Sequence, residues 1–424
     1  MARAGQKKAS VAVGEDVRLV DRVSLGVLAE VVSRDLIEEV LDETGKREQR
    51  TRLLPAHVMV RFCQAMCLFF DDDYEEVMRK LVGSLKSLKS MGSWRGEWHV
   101  PSTSAVAQAR QRLGSEPLRV LFERVAVPVA GPGAHGAWLR SRRVMAVDGV
   151  MLDLQDTPEN VAEFGKSGND HKASGFPQAL VVALAECGSH AIVDAVISGY
   201  RGDEKALSRS LLGSVEAGML VTADRNFYSY SLWEDFLDTG ADLLWRIGSG
   251  VELPVLKWLS DGSFDSILLN PQVRAGRRRQ VIADAAAGKT VSPEQGFRVR
   301  VVEYEVPDRE GNGTGEVICL ATTIPEPSEA TAAELAWCYH QRWEIESVFN
   351  EIKTHQRGNA RILRSKSPDM VRQEIWAFLL THYAIRSLMS RAADEADVDP
   401  DELSFIRTLR VVRRQVTAQA DFSP

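Results

Sequence analysis

The stretch YHQRWEIESVFNEIK carries four side chains whose types and spacing could do chemistry together: Tyr339, Arg342, Glu346 and Lys353. A helix turns about 100° per residue, so all four fall inside an arc of about 60°. Ile345, Val348, Phe349 and Ile352 recur at i, i+3, i+4 and i+7 and make an apolar stripe beside them. The helix is expected to pack with the stripe and present the polar row. A carboxylate in such a row can ligate Mg²⁺ while leaving positions open for a phosphate. Arg grips phosphate as a two-pronged donor, Lys as a point charge, and Tyr by a hydrogen bond. An exposed helix face laced with i, i+4 pairs would look the same, and Arg342 with Glu346 is one such pair.

Two further acids bear on that choice. Asp148 follows VMAV in an apolar, strand-like segment, and Asp224 follows GMLVTA at a strand end. A carboxylate in either place is desolvated unless paired or bound to a cation. Each alone fits a turn or cap as well as it fits a metal. With Glu346 they supply three acids from three separated elements. Two metal ions about 4 Å apart, held by such a set, activate a nucleophile and stabilise a phosphodiester leaving group.

The elements that must position these acids follow from periodicity. Residues 23 to about 130 read as helical, with Ser102, Thr103 or Ser104 capping the helix that holds Arg110 and Arg112. VPVAGPGAHGAW breaks that pattern. The order then becomes β-β-β-α-β-α-β, an α/β sheet whose strand ends favour ligand sites. Residues 248 to about 315 read as short strands and hairpins rather than helices, including the Gly-rich DREGNGTGE. A long helix is expected over about 332–356, started by a Thr331/Glu334 capping box and stopped at Gly358. A second long helix and a basic tail follow. The expected division is 1–140, a helical domain; 141–247, the first part of the core; 248–315, a β-rich insertion; 316–385, the second part of the core; and 386–424, a helical tail.

Composition sets the outer bounds. The 424 residues suggest two or three domains of ordinary globular composition, with no apolar run long enough to span a bilayer and no secretory h-region. Five Cys without a C-x-x-C are expected to be reduced thiols, and Cys63 with Cys67 to be core residues. The net charge is −7, yet Lys and Arg outnumber acids seven to two over both Pro101–Arg143 and Leu268–Arg300. Such clustering suits a surface that tracks DNA, as it suits a solvated face.

Tyr339-x₂-Arg342-x₃-Glu346-x₆-Lys353 resembles the Y-R-E-K signature of the DDE transposases of the bacterial IS-four group. AVDGVMLDLQDTPENVAEFG, GMLVTADRNFYSYSLWEDFLDTGADLLWRI and HQRGNARILRSKSPDMVRQEIWAFLLTHYA are similar to segments of the same family. The likeness runs from about residue 20 to 415. It implies an RNase H-like core with a β insertion before the Glu-bearing helix, between helical N- and C-terminal parts. It implies two Mg²⁺ (or Mn²⁺) ions on catalytic Asp148, Asp224 and Glu346, with Tyr339, Arg342 and Lys353 on the DNA backbone. Arg246, Arg110 and Arg112 are further expected DNA contacts. The partners implied are double-stranded DNA, both terminal inverted repeats and target, and a second copy of the chain assembled on the DNA ends. Metal-dependent cutting frees a 3′-OH, which attacks phosphodiesters through a hairpin in studied members and then joins target DNA. The setting implied is the bacterial cytoplasm at the nucleoid, without membrane contact.

Some family features have no firm counterpart. Trp258 and Trp343 are the candidates for holding a flipped base, with core packing the expectation for both. Glu204 sits where relatives often show an acid, but a helix N-terminal charge explains it too. The competing functions are an inactive or repurposed DNA-binding relative and an unrelated Mg²⁺ phosphohydrolase. For the latter, Val150 interrupts the D-x-D pattern of aspartyl-phosphate enzymes.

Overall fold

The computed structural model describes residues 26, 28–50, 52–90, 100–168, 175–306, 316–356 and 362–418. The expected stop at Gly358 and nearly all of the Gly-rich segment (307–315) lie outside them.

Among the described residues six helices come first: α1 (Leu28–Val31), α2 (Arg34–Glu43), α3 (Ala56–Leu68), α4 (Tyr74–Ser90), α5 (Thr103–Leu113) and α6 (Glu116–Val125). Ser33 and Ser102 cap α2 and α5 by accepting from the amides of Leu36 and Ala105. Helix α3 is buried almost all round, and its Cys63 and Cys67 are free, fully buried thiols. A helix this apolar must be wrapped by others.

After Ala137 the alternation of apolar residues changes to period two. The strands are β1 (Trp138–Leu139), β2 (Arg142–Asp153), β3 (Gln178–Glu186), β4 (Ile192–Gly199), β5 (Met219–Ala223), β6 (Asp242–Arg246), β7 (Lys257–Trp258), β8 (Phe264–Leu269), β9 (Gly296–Val306) and β10 (Glu316–Thr322). Helices α7 (Pro158–Phe164), α8 (Glu204–Ser208) and α9 (Tyr230–Leu237) connect the core strands. One mixed sheet results, ordered β4-β3-β2-β5-β6-β10-β9-β8-β7, with β1 beside β2. Strands β2, β5 and β6 run parallel, β3 runs antiparallel beside β2, and β4 runs antiparallel beside β3.

The β-rich segment extends this sheet rather than forming its own, since β10 pairs with β6 and β9 with β10. It also holds a helix, α10 (Ala275–Ala286), where only strands and hairpins were expected. The arginines of RAGRRRQ leave few apolar residues there, and Val281 and Ala285 suffice to seat it on Ile267 of β8.

The long helix begins at the Thr331/Glu334 capping box as expected. It is not continuous: α11 (Ala332–Gln341) turns at Arg342 into α12 (Trp343–Asn350), and Glu351–Gln356 winds as a π-helix. Helices α13 (Pro368–Ala396) and α14 (Phe405–Ala418) complete the fold. The expected boundary at 385 falls inside α13, which packs on α3 and α6 and so joins the N-terminal helices to the sheet.

Alternation along the strands decides what each sheet face meets. Val144 and Ala146 of β2, Leu220 of β5 and Leu244 of β6 face the core shared with α12 and α13. Met145, Val147, Val221, Ala223, Leu243 and Trp245 face the opposite core, with Trp233 and Phe236 of α9. Residues two apart share a face. Positions 148, 224 and 246 therefore belong to the side on which α12 lies.

Candidate active site

Parallel pairing puts Val147 beside Ala223, so Asp148 and Asp224 follow at the next step on adjacent chains. Neighbouring strands lie about 4.8 Å apart. Arg246 ends β6, the next parallel strand, and its Nη1 lies 4.0 Å from Oδ1 of Asp224. The apolar stripe of α12 brings the third acid: Ile345, Val348, Phe349 and Ile352 are all buried against the sheet side that holds Asp148.

Arg342 ties the acids together. Its Nη1 donates to Oδ2 of Asp148 at 3.3 Å and its Nη2 to Oε1 of Glu346 at 3.2 Å. Asp224 also acts on its charge. The guanidinium is nearly buried, whereas the Glu346 side chain is 59% exposed. Among the described residues the three carboxylates do not close into a knot as tight as 4.8 Å; the group that does is His190, Glu344 and Asp401.

Burial pushes the Asp148 carboxyl up to about 6; Gly149 N–H and Arg342 oppose this, while Glu346 and Glu204 add to it. Glu204 is the first residue of α8, after the Asp203 cap, and its carboxyl is raised by burial and by Asp203 and Asp224. Its Oε1 lies 2.5 Å from where a Cβ on residue 149 would stand, so only glycine there lets this fourth acid approach. The helix N-terminal charge visible in the sequence is thus also a site group.

A cation fits this donor set. Three carboxylates from rigid elements suit a hard divalent ion. Among the described residues, buried Oδ1 of Asp224 has no hydrogen-bond partner. Buried polar atoms without partners are uncommon and call for an explanation such as a ligand.

Residues 139–383 match the family described as "Transposase DDE domain", and residues 22–123 match "Insertion element 4 transposase N-terminal". The chain belongs to the DDE transposases of the IS4 type. It is 27% identical over 97% of its length to "Transposase InsG for insertion sequence element IS4" of Escherichia coli (strain K12), covering 88% of that relative. "Putative transposase InsZ" of the same organism is 26% identical over 53% of this chain and 71% of its own length. Among solved structures, the piggyBac transposase synaptic complex with hairpin DNA has a TM-score of 0.50 at 12% identity, covering 93% of this chain and 80% of that one, a likeness of fold. The RNase H-like core with helical ends is as the sequence resemblance implied. As a DDE transposase the chain acts on DNA, and its family cuts and joins strands with divalent metal.

Several expected positions need correcting. The transposase does not present Tyr339 and Arg342 as an open row: Tyr339 is 1% and Arg342 5% exposed. Burial raises the Tyr339 hydroxyl well above its ordinary value, and the Arg342 guanidinium stands 5.6 Å from its ring. Lys353 is exposed, on the π-helical turn. Arg110 is fully buried and cannot face DNA. Its Nε donates to Oε1 of Gln373 at 2.8 Å and its Nη2 to Oγ of Ser365 at 3.2 Å, so it bolts α5 to α13 and the loop before it. Arg112 stays on the surface, near the carbonyl of Leu54. Trp258 and Trp343, expected in the core, are 63% and 41% exposed. No helix among the described residues is long and apolar enough to cross a membrane.

Proposed function

We propose that this transposase binds the double-stranded terminal inverted repeats of an insertion sequence, cuts there with Mg²⁺ or Mn²⁺, and joins the freed 3′-OH ends to target DNA by transesterification. Asp148, Asp224 and Glu346 are the catalytic acids and would hold two ions. The observation that carries this reading is Arg342, whose one guanidinium bonds Asp148 and Glu346 and feels Asp224. A group serving three acids from β2, β5 and α12 marks the point where those elements aim negative charge.

Bound there, divalent ions would supply Lewis-acid activation of the attacking oxygen and charge stabilisation at the leaving one. The chain's own residues do the rest. Arg342 offsets the repulsion among the acids, and it would grip a phosphate by releasing one of the two carboxylates it now holds. The Tyr339 hydroxyl, near the Arg342 guanidinium, would donate to the same backbone. Lys353, Arg246 and Arg112 add positive charge where a duplex would run, and the N-terminal helices recognise the ends. Two copies assemble on two DNA ends, in the bacterial cytoplasm at the nucleoid.

The test uses purified full-length protein, duplexes carrying the element's terminal repeats, and Mg²⁺. Asp148→Asn, Asp224→Asn and Glu346→Gln should each abolish nicking while end binding persists. Wild-type nicking by any one of the three would overturn the assignment.

A further inference from the structure

A second cluster lies apart from the three catalytic acids. His190 occupies the turn between β3 and β4, with a positive φ of 60°. Glu344 stands at the start of α12, and Asp401 on a short 3₁₀ turn (Pro400–Glu402) between α13 and α14. One ligand atom from each lies within 4.8 Å of the other two. Nε2 of His190 is 3.2 Å from Oδ1 of Asp401 and 3.6 Å from Oε2 of Glu344.

We propose that His190, Glu344 and Asp401 form a binding site for a divalent transition-metal ion, Zn²⁺ by donor chemistry. Tetrahedral ligands with bonds of about 2.0–2.1 Å stand about 3.4 Å apart, which is the spacing of the imidazole nitrogen to both carboxylates here. A second observation is independent of the spacing. His190 is 5% exposed, and among the described residues its Nε2 has no hydrogen-bond partner although two carboxylates are near. Neither oxygen meets hydrogen-bond geometry with that nitrogen, although both lie within 3.6 Å of it. An imidazole donor favours Zn²⁺ over the Mg²⁺ of an all-oxygen site. Two carboxylates and a neutral imidazole balance the ion's charge. The outer rim is open, because the Asp401 side chain is 46% exposed and leaves room for entry and for a water as fourth ligand.

A carboxylate also stands on the side of the other ring nitrogen. Metal-binding His commonly gives its other ring N–H to a carboxylate. Oε1 of Glu351 lies 3.9 Å from Nδ1 of His190. Without an ion, Nδ1 instead accepts from Nη2 of Arg386 and the ring carries its proton on Nε2. Ion binding would move the Nε2 proton to Nδ1, on the side of Glu351, so Nη2 of Arg386 would give up its bond to the ring and keep only its bond to Oε1 of Glu351, with Nε on Oε2 at 2.9 Å. The ion would then staple the turn between β3 and β4 and the C-terminal segment to the helix that carries Glu346. The site is structural, and it stands whether or not the catalytic assignment does.

The experiment uses chelator-treated full-length protein in excess Mg²⁺, one sample dialysed against Zn²⁺ and a second, zinc-free sample titrated with Co²⁺ as a visible-absorption probe. One equivalent should bind per chain, give a low-symmetry Co²⁺ spectrum and raise the melting temperature. The Asp148→Asn, Asp224→Asn double variant should keep that equivalent, because its lost carboxylates belong to the other site. Asp401→Asn, at the exposed rim, should fold and bind at least about tenfold more weakly, as disturbed metal sites do. His190→Gln should lose the Co²⁺ spectrum. The proposal fails if no equivalent binds in excess Mg²⁺, if the double variant loses it, or if Asp401→Asn binds like the parent.

Discussion

Oδ2 of Asp148 sits 3.3 Å from Nη1 of Arg342, so a half-buried carboxylate in β2 takes its countercharge from the turn between α11 and α12. Loss of the guanidinium leaves that carboxylate unpaired on the protein side. Breaking a buried pair costs about 3–5 kcal/mol. The exposed Glu346 end of the contact adds little.

Arg342→Gln should therefore destabilise the metal-free, DNA-free transposase by about 2–3 kcal/mol, allowing for the partial exposure of Asp148. Mn²⁺ should restore more stability to the variant than to the parent, since the ion no longer competes with a guanidinium. Cutting should fall by about 10²-fold, the scale for one lost preorganised charge. Thermal melts with and without Mn²⁺, and a nicking assay, check this. A variant as stable as its parent without metal would show that Asp148 does not rely on Arg342.

Gly149→Ala places a methyl 2.5 Å from Oε1 of Glu204. The backbone of β2 tolerates alanine, so Glu204 must swing away. Nicking should drop about tenfold, equivalent to about 1.4 kcal/mol, with a melting temperature close to the parent's. Glu204→Gln should give a similar loss. Unchanged nicking in both would remove Glu204 from the site.

Asp261 links the extended sheet to the helix that bears Tyr339. It accepts from the Ala332 amide at 2.7 Å, at the first turn of α11, and pairs with the buried Arg300. Burial works against its charge, but hydrogen bonds from Ser263 and Ala332 and the Arg300 guanidinium more than offset that and hold the carboxyl below its ordinary value. A depressed carboxyl contributes stability that is present above its unfolded pKa and lost as pH falls through the folded one. Asp261→Asn should cost about 1.5–3 kcal/mol at pH 7, the range for hydrogen bonds to a charged group. The gap between parent and variant should shrink below about pH 4. Denaturant melts across pH read it directly, and a constant gap would refute the charge argument.

Arg110 and Arg112 should separate cleanly. Arg110→Met removes a buried bolt between α5 and α13 and should cost about 3 kcal/mol, while the salt dependence of DNA binding by folded protein stays as it was. Arg112→Ala should barely alter stability and should lower the salt slope by about 1 if it neutralises a phosphate. The reverse pattern would restore Arg110 as a DNA contact.

Much of the site was legible in the sequence. The capping box at Thr331/Glu334, the apolar stripe of α12 and the two-residue alternation around Asp148 are local patterns, set by neighbours within a turn or a strand. Glu204 was half legible: its place at a helix start could be read, its approach to Gly149 could not. The helix in RAGRRRQVIADAA was missed because its apolar face is only two residues wide. The break at Arg342 and the π-helical turn were missed because an unbroken 3.6-residue period describes the stripe equally well.

Sequence alone determined which residue types were on offer, their phase on each helix and strand, and the family they signal, because these depend on short-range periodicity and on matched motifs. Tertiary structure decided which charges are buried. Arg110 meets Gln373 across 263 residues of chain, and Asp148 meets Arg342 across 194. Such pairings follow from how helices and sheet close on one another, and the dielectric each charge feels is a property of that closure rather than of its sequence neighbours.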